Sequence, residues 1–134
     1  MLDTVQHDSM DRAILSPLPT FFVKRLTYNI AILRVILSVE GIDHLEVRFE
    51  PPRAFRSFSE SDYWHYLNEF DGSALVQSID TGCGIWMSQT APYLLDYREH
   101  VRYHDTEDTF SCLISTPQEC VEVICFEEPS ITMI

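Results

Sequence analysis

The sequence predicts one α+β domain, with an antiparallel sheet of about five or six strands and two helices packed on it. Three observations predict it. The stretch from Asp108 to Ser130 holds two apolar, β-branched runs, Thr109–Thr116 and Cys120–Phe126, on either side of Pro117-Gln118-Glu119. Residues 28–39 and 44–50 spell a second hairpin, and a capped amphipathic pattern begins near Ser59. The two hairpins supply the sheet, and the helices fall at 60–71 and 91–99.

Residues 1–16 are polar, and 1–20 read as a loosely ordered N-terminal segment. Asp11 to Leu15 suggests one helical turn. Ser16-Pro17-Leu18-Pro19 stops it, because each Pro pushes its predecessor out of the helical region. From Phe21 to Val39 two templates compete. Leu26, Ile30, Leu33 and Leu37 keep a helical spacing, whereas Thr27, Ile30, Ile32, Val35, Ile36 and Val39 are β-branched and favour strand. The next segment decides between them. Glu40-Gly41 is a turn signal, and His44 to Glu50 alternates, with Leu45, Val47 and Phe49 on one face. A strand that clear needs a partner, so 28–39 pairs with 44–50. Pro51-Pro52 breaks the ladder, and Arg53 to Phe58 resumes as a short edge strand.

Ser59 or Ser61 then caps a helix whose Tyr63, Tyr66, Leu67 and Phe70 share one face, and Gly72 ends it. Ala74 to Ile79 reads as a strand, Asp80 to Gly84 as a loop, and Ile85-Trp86-Met87 as an apolar patch. Thr90-Ala91-Pro92 opens the second helix, His100 to His104 reads as a strand, and Asp105 to Asp108 is an acidic turn. In the last hairpin Pro117 pre-sets φ for the reversal. The strand after it is apolar on both faces, with Val121, Val123 and Cys125 on one and Ile124 and Phe126 on the other, interrupted by Glu122. That suits a central strand covered on both sides. The expected core is Phe126, Val123, Leu45, Val47, Tyr66 and Leu67.

A chain of 134 residues fits a single domain, 1–134, that buries roughly two-thirds of its unfolded surface. An apolar fraction of 46% with 12% aromatics is foreign to disordered chains. No run approaches the roughly 20 apolar residues of a membrane span. Met1 to Asp11 carries three Asp and no apolar core, unlike a secretory signal, so a cytoplasmic protein is expected. The cysteines (Cys83, Cys112, Cys120, Cys125) sit in apolar surroundings without a Cys-x-x-Cys pair, and buried free thiols are expected.

Charge is distributed unevenly. The net −12 lies entirely in residues 59–134, which hold fourteen acids and only Arg98 and Arg102, while residues 1–58 balance seven acids with seven bases. Such a field repels nucleic acid and attracts basic partners.

Candidate chemistry is sparse. Gly82-Cys83-Gly84 would let a backbone approach a substrate, but it lacks the spacing of a nucleophile elbow and an adjacent base. An incidental Cys in a flexible turn explains it as well. His100, Arg102 and His104 would share a strand face, where Arg102 opposes a cation. Glu60 with Asp62, and Glu107 with Asp108, lie at a helix start and in a turn, where solvation gives them no separated pKa values for acid–base work. Arg48, Arg53 and Arg56 cluster around the Pro-Pro break with Phe49, Phe55 and Phe58, as an anion or peptide groove or as ion-pair partners of the acidic half. No catalytic residue, cofactor or metal site is expected.

Size, acidity and the absence of motifs make the chain resemble small bacterial immunity-type proteins. The residues in that style are Val47 to Arg56, the Asp62-Tyr63-Trp64 helix start and Val121 to Pro129. The resemblance implies a domain that neutralises a toxin by covering it, and carries over no functional residue. The expectation is therefore a non-enzymatic protein-binding domain with a basic protein partner. Alternatives are a regulatory interaction module and a small-ligand-binding or thiol enzyme. The expected docking patch is Glu60, Asp62, Asp71, Asp105, Glu107 and Asp108, with Trp64 and Trp86 as exposed anchors.

Overall fold

The computed structural model describes residues 12–15, 21–39, 42–59, 84–101 and 108–134. Among these residues nine strands and one helix follow in the order β1 (Arg12–Leu15), β2 (Phe22–Tyr28), β3 (Leu33–Val39), β4 (Ile42–Phe49), β5 (Ala54–Ser59), β6 (Gly84–Ser88), α1 (Pro92–His100), β7 (Phe110–Ser115), β8 (Glu119–Cys125) and β9 (Ser130–Met133). All pairings are antiparallel. One sheet has five strands, in the order β1-β6-β7-β8-β5, and the other has four, in the order β2-β3-β4-β9.

The sheets pack face to face. Leu33, Val35 and Leu37 of β3 and Leu45, Val47 and Phe49 of β4 meet Ile85, Met87, Cys112, Ile114, Val121, Val123 and Cys125 of the other sheet in one buried cluster. The outer face of the five-stranded sheet is also covered. There Trp86, Leu113, Cys120 and Ile124 pack with Ala91 and Leu94, which places α1 against that face. Arg98 pins the helix to the start of β7 by donating to Gln89 Oε1 (2.7 Å), to Thr109 Oγ1 and to the Thr109 carbonyl. None of the described helices is long and apolar enough to cross a membrane.

The expected α+β architecture is thus replaced by a mostly β one. Three readings produced the error. Residues 12–15 form strand β1 rather than a helical turn. The apolar run 21–39 is itself a hairpin, β2–β3, rather than one strand beginning at 28. Its turn is fixed by Asn29, whose Oδ1 accepts from the backbone N–H of Ala31 and Ile32 at 2.9 and 3.0 Å, while its own N–H donates to the Ile32 carbonyl. The patch at 85–87 is strand β6, buried on both faces, so it carries no period-two alternation for a sequence reading to detect.

Other expectations fare differently. The last hairpin forms around Pro117-Gln118 as β7–β8, and β8 is a central strand covered on both sides. Ala54–Ser59 is an edge strand, after a cis Glu50–Pro51 peptide. The helix expected at 91–99 is α1, and His100 ends it instead of starting a strand. Phe126 follows the end of β8 and is 39% exposed, so it is not core, whereas Val123, Leu45 and Val47 are. The helix expected at 60–71, with Tyr66 and Leu67, and the strand at 74–79 lie outside the described residues.

Leu113, fully buried between α1 and the five-stranded sheet, gives the test of this packing. Leu113→Ala should cost about 2–5 kcal/mol in urea unfolding, the usual range for emptying a core site. Ile30→Ala, at the exposed β2–β3 turn, should stay within about 0.5 kcal/mol. A loss below about 1 kcal/mol at Leu113 would mean that α1 does not cover the sheet.

Candidate functional site: an acidic groove between two crossovers

Two connections carry the chain between the sheets at one end of the molecule. After Phe49, at the end of β4, residues 50–53 lead into β5; after Cys125, at the end of β8, residues 126–129 lead into β9. Because β4 pairs with β9 and β5 with β8, these crossovers run side by side. Between them lies a cavity of about 210 Å³, lined by Arg48, Glu50 and Pro51 on one side and by Phe126, Glu127, Glu128 and Ser130 on the other. Glu50, Phe126, Glu127 and Glu128 are exposed at its rim.

The two arginines beside the groove already have roles. Arg48 pairs with Glu50, its Nε and Nη2 both 3.1 Å from Oε1. The Arg53 guanidinium lies 4.6 Å from the centre of the Phe126 ring, within cation–π reach, and its backbone N–H donates to the Ile124 carbonyl at 2.8 Å. Three glutamates and two arginines therefore surround an accessible aromatic ring.

The other charged pairs of the four-stranded sheet lie within that sheet. The Lys24 ammonium lies 2.7 Å from Asp43 Oδ1, Arg25 donates to Asp43 Oδ2 at 3.2 Å, and Arg34 lies 3.7 Å from Glu46. The hydrogen bond from Lys24 leads in holding the Asp43 carboxyl below its ordinary value, against the opposing effect of burial, with help from Arg25.

Arg56 crosses instead to the acidic half. It donates to Glu122 Oε1 at 3.0 Å, and Ser111 Oγ donates to the other carboxylate oxygen at 2.6 Å. Glu122 is 0% exposed, and Arg56 sits directly opposite it in the β5–β8 register. The Arg56 guanidinium also lies over the rings of Tyr93 (4.1 Å) and Phe58 (4.9 Å). Of the three arginines read as one cluster, then, Arg48 and Arg53 flank the groove and Arg56 neutralises a buried carboxylate. Among the described residues this buried carboxylate is held by an arginine and a serine, an arrangement that compensates the cost of burying its charge.

Most of the sequence-derived docking patch lies outside the described residues. Asp108 is exposed in the turn before β7. Trp86 is only 5% exposed, within the cluster under α1, and does not serve as a surface anchor; its indole N–H has no hydrogen-bond partner among the described residues. Glu60, Asp62, Trp64, Asp71, Asp105 and Glu107 lie outside the described residues, as do Cys83, Arg102 and His104. Sequence reasoning missed Glu127 and Glu128 as site residues; their one signal was an acidic pair after a strand end, beside an aromatic.

Cys112, Cys120 and Cys125 are free and buried, with Cys112 and Cys125 in the inter-sheet core and Cys120 on the helix side. Burial pushes the Cys125 thiol up to about 12. Among the described residues no group of His, Cys, Asp and Glu is placed to hold a metal ion. No family model, curated protein or solved structure matches the chain.

Two outcomes are expected. Arg56→Leu should cost about 3 kcal/mol, the low end for stranding a buried charge, because Arg56 is partly exposed and Ser111 remains. Adding Glu122→Leu should restore part of that stability. A single-variant cost under about 1 kcal/mol would contradict the pairing. Thiol labelling at pH 8 should spare Cys112, Cys120 and Cys125 until denaturant is added, since the thiolate is the reactive form and burial disfavours it. Rapid native labelling of Cys125 would overturn its placement.

Proposed function

We propose that this chain is a cytoplasmic, non-enzymatic protein-binding domain whose partner is a basic protein, bound at the acidic groove between the two crossovers. The observation that carries the reading is the accessible ring of Phe126 set among the carboxylates of Glu50, Glu127 and Glu128. Carboxylates steer a basic surface into register, and an aromatic ring offers it area and a cation–π face. The charge pattern supports the same reading. Lys24, Arg25, Arg34 and Arg48 pair with Asp43, Glu46 and Glu50 of their own half, while residues 59–134 hold fourteen acids and only two bases. Neutralising a toxin domain by covering it, as immunity proteins do, is one form such binding takes.

The test is capture from extracts of the native cells, identification of the bound protein by mass spectrometry, and measurement of its association rate. The partner should be basic. Its association rate should fall steeply with added salt, because charges more than about 8 Å apart are screened at physiological ionic strength. Glu127→Gln with Glu128→Gln should slow association and flatten that dependence. An association rate indifferent both to salt and to these substitutions would contradict the proposal.

A further inference from the structure

A strand at the edge of a sheet presents unpaired N–H and C=O groups, which invite pairing with another chain. Among the described residues the edges are β1 and β5 of one sheet and β2 and β9 of the other. Three of them carry features that discourage such pairing. Strand β1 holds Arg12, and its register is irregular between Ala13 and Leu15. Strand β2 holds Lys24 and Arg25 and is irregular between Val23 and Arg25. Strand β5 holds Arg56 and follows Pro51-Pro52. Strand β9, Ser130-Ile131-Thr132-Met133, contains no charge and no Pro, and its register with β4 is regular throughout. Its shortness is its one guard. The direction of its free groups follows from the ladder. The Ile134 N–H donates to the His44 carbonyl, which continues the β4–β9 register by one pair. Residues 130, 132 and 134 therefore direct their backbone groups to β4, and Ile131 and Met133 direct theirs outward. Ile131 and Met133 also share the core-side face with Val47 and Leu45, their partners on β4. Ile131 packs against the inter-sheet core, but Met133 is 72% exposed at the margin of that face.

We infer that β9 pairs antiparallel with β9 of a second copy, joining two four-stranded sheets into one continuous sheet. The two-fold register that centres Thr132 on Thr132 sets Ile131 of each copy opposite Met133 of the other. Both of these pairs are of the hydrogen-bonded kind, so every outward N–H and C=O of the two residues is used. The same register covers the exposed Met133 of each copy with Ile131 of the other, an apolar cross-strand pair. The strand thus matches itself in backbone and in side chains, which selects a second copy as its occupant. Charge agrees. Two chains of net −12 repel at long range, and β9 lets them meet through a strand without a charged side chain. A contact this short makes a weak dimer that forms and parts with concentration.

Sedimentation velocity on the full chain over a concentration series tests this. The average sedimentation coefficient should rise with concentration. It should rise further with added sodium chloride, because salt screens the repulsion between two acidic chains. Thr132→Lys sets two ammonium groups against each other at the centre of the contact and should weaken dimerisation about tenfold or more. Met133→Pro removes an outward donor from each copy while sparing the bonds to β4, and should also weaken it. Circular dichroism should show both variants folded as the parent is. Should they fail to fold, amide exchange on the unaltered chain decides: the Ile131 and Met133 N–H groups should exchange more slowly in concentrated than in dilute solution. A monomer at every concentration and salt, or a dimer that both folded variants leave intact, would overturn the inference. Protection of Ile131 and Met133 only by a different, captured protein would assign the edge to that protein and overturn it too.

Discussion

A carboxylate buried in the middle of a sheet is the constraint on which the arrangement depends. Glu122 lies on the central strand β8 with no exposed surface, and a charge so placed persists only with a partner of opposite sign and with its remaining lone pairs satisfied. Ser111 supplies one bond from β7, and Arg56 supplies the counter-charge from β5, directly across the ladder. A slip of β5 by one residue would turn Arg56 toward the inter-sheet core and strand Glu122, so the pair specifies the register of an otherwise short edge strand. With β5 fixed against β8, Arg53 comes to lie over Phe126 and the first crossover is held beside the second. The groove is a consequence of that alignment.

Electrostatics divides the molecule in the same way. The four-stranded sheet brings oppositely charged side chains together, with Asp43 between Lys24 and Arg25 and Glu46 near Arg34. These pairs are largely exposed, and each contributes little to stability. Their effect is on the long-range field: they cancel charge locally and leave the acids of the C-terminal half to dominate. That half gives up one of its carboxylates, Glu122, to structure, and presents others, including Glu127 and Glu128, to solvent.

How much of this was legible depends on how local the signal is. The last hairpin was readable because Pro117 sits between two apolar runs, and β4 because Leu45, Val47 and Phe49 alternate with polar residues. The edge position of β5 followed from the prolines before it. The β2–β3 turn was missed because a single Asn marks it, within a run that is otherwise β-branched. Strand β6 escapes a sequence reading because burial on both faces erases alternation, and for the same reason Trp86 reads as a surface anchor. Glu122 read as an interruption because its partner, Arg56, is distant in sequence and meets it only when β5 joins β8. The groove was invisible for a similar reason. Glu50 and Glu127 belong to separate crossovers, and only the pairing of β4 with β9 and β5 with β8 brings them together.

The most direct test of the central claim, that the partner docks on the end carrying both crossovers, is amide hydrogen exchange on the chain with and without its captured partner. Exchange should slow in residues 50–53 and 126–130 and remain unchanged in α1 and in the turn around Pro117. Protection confined to α1 or to the Pro117 turn, with the crossovers exchanging as they do in the free chain, would contradict the account.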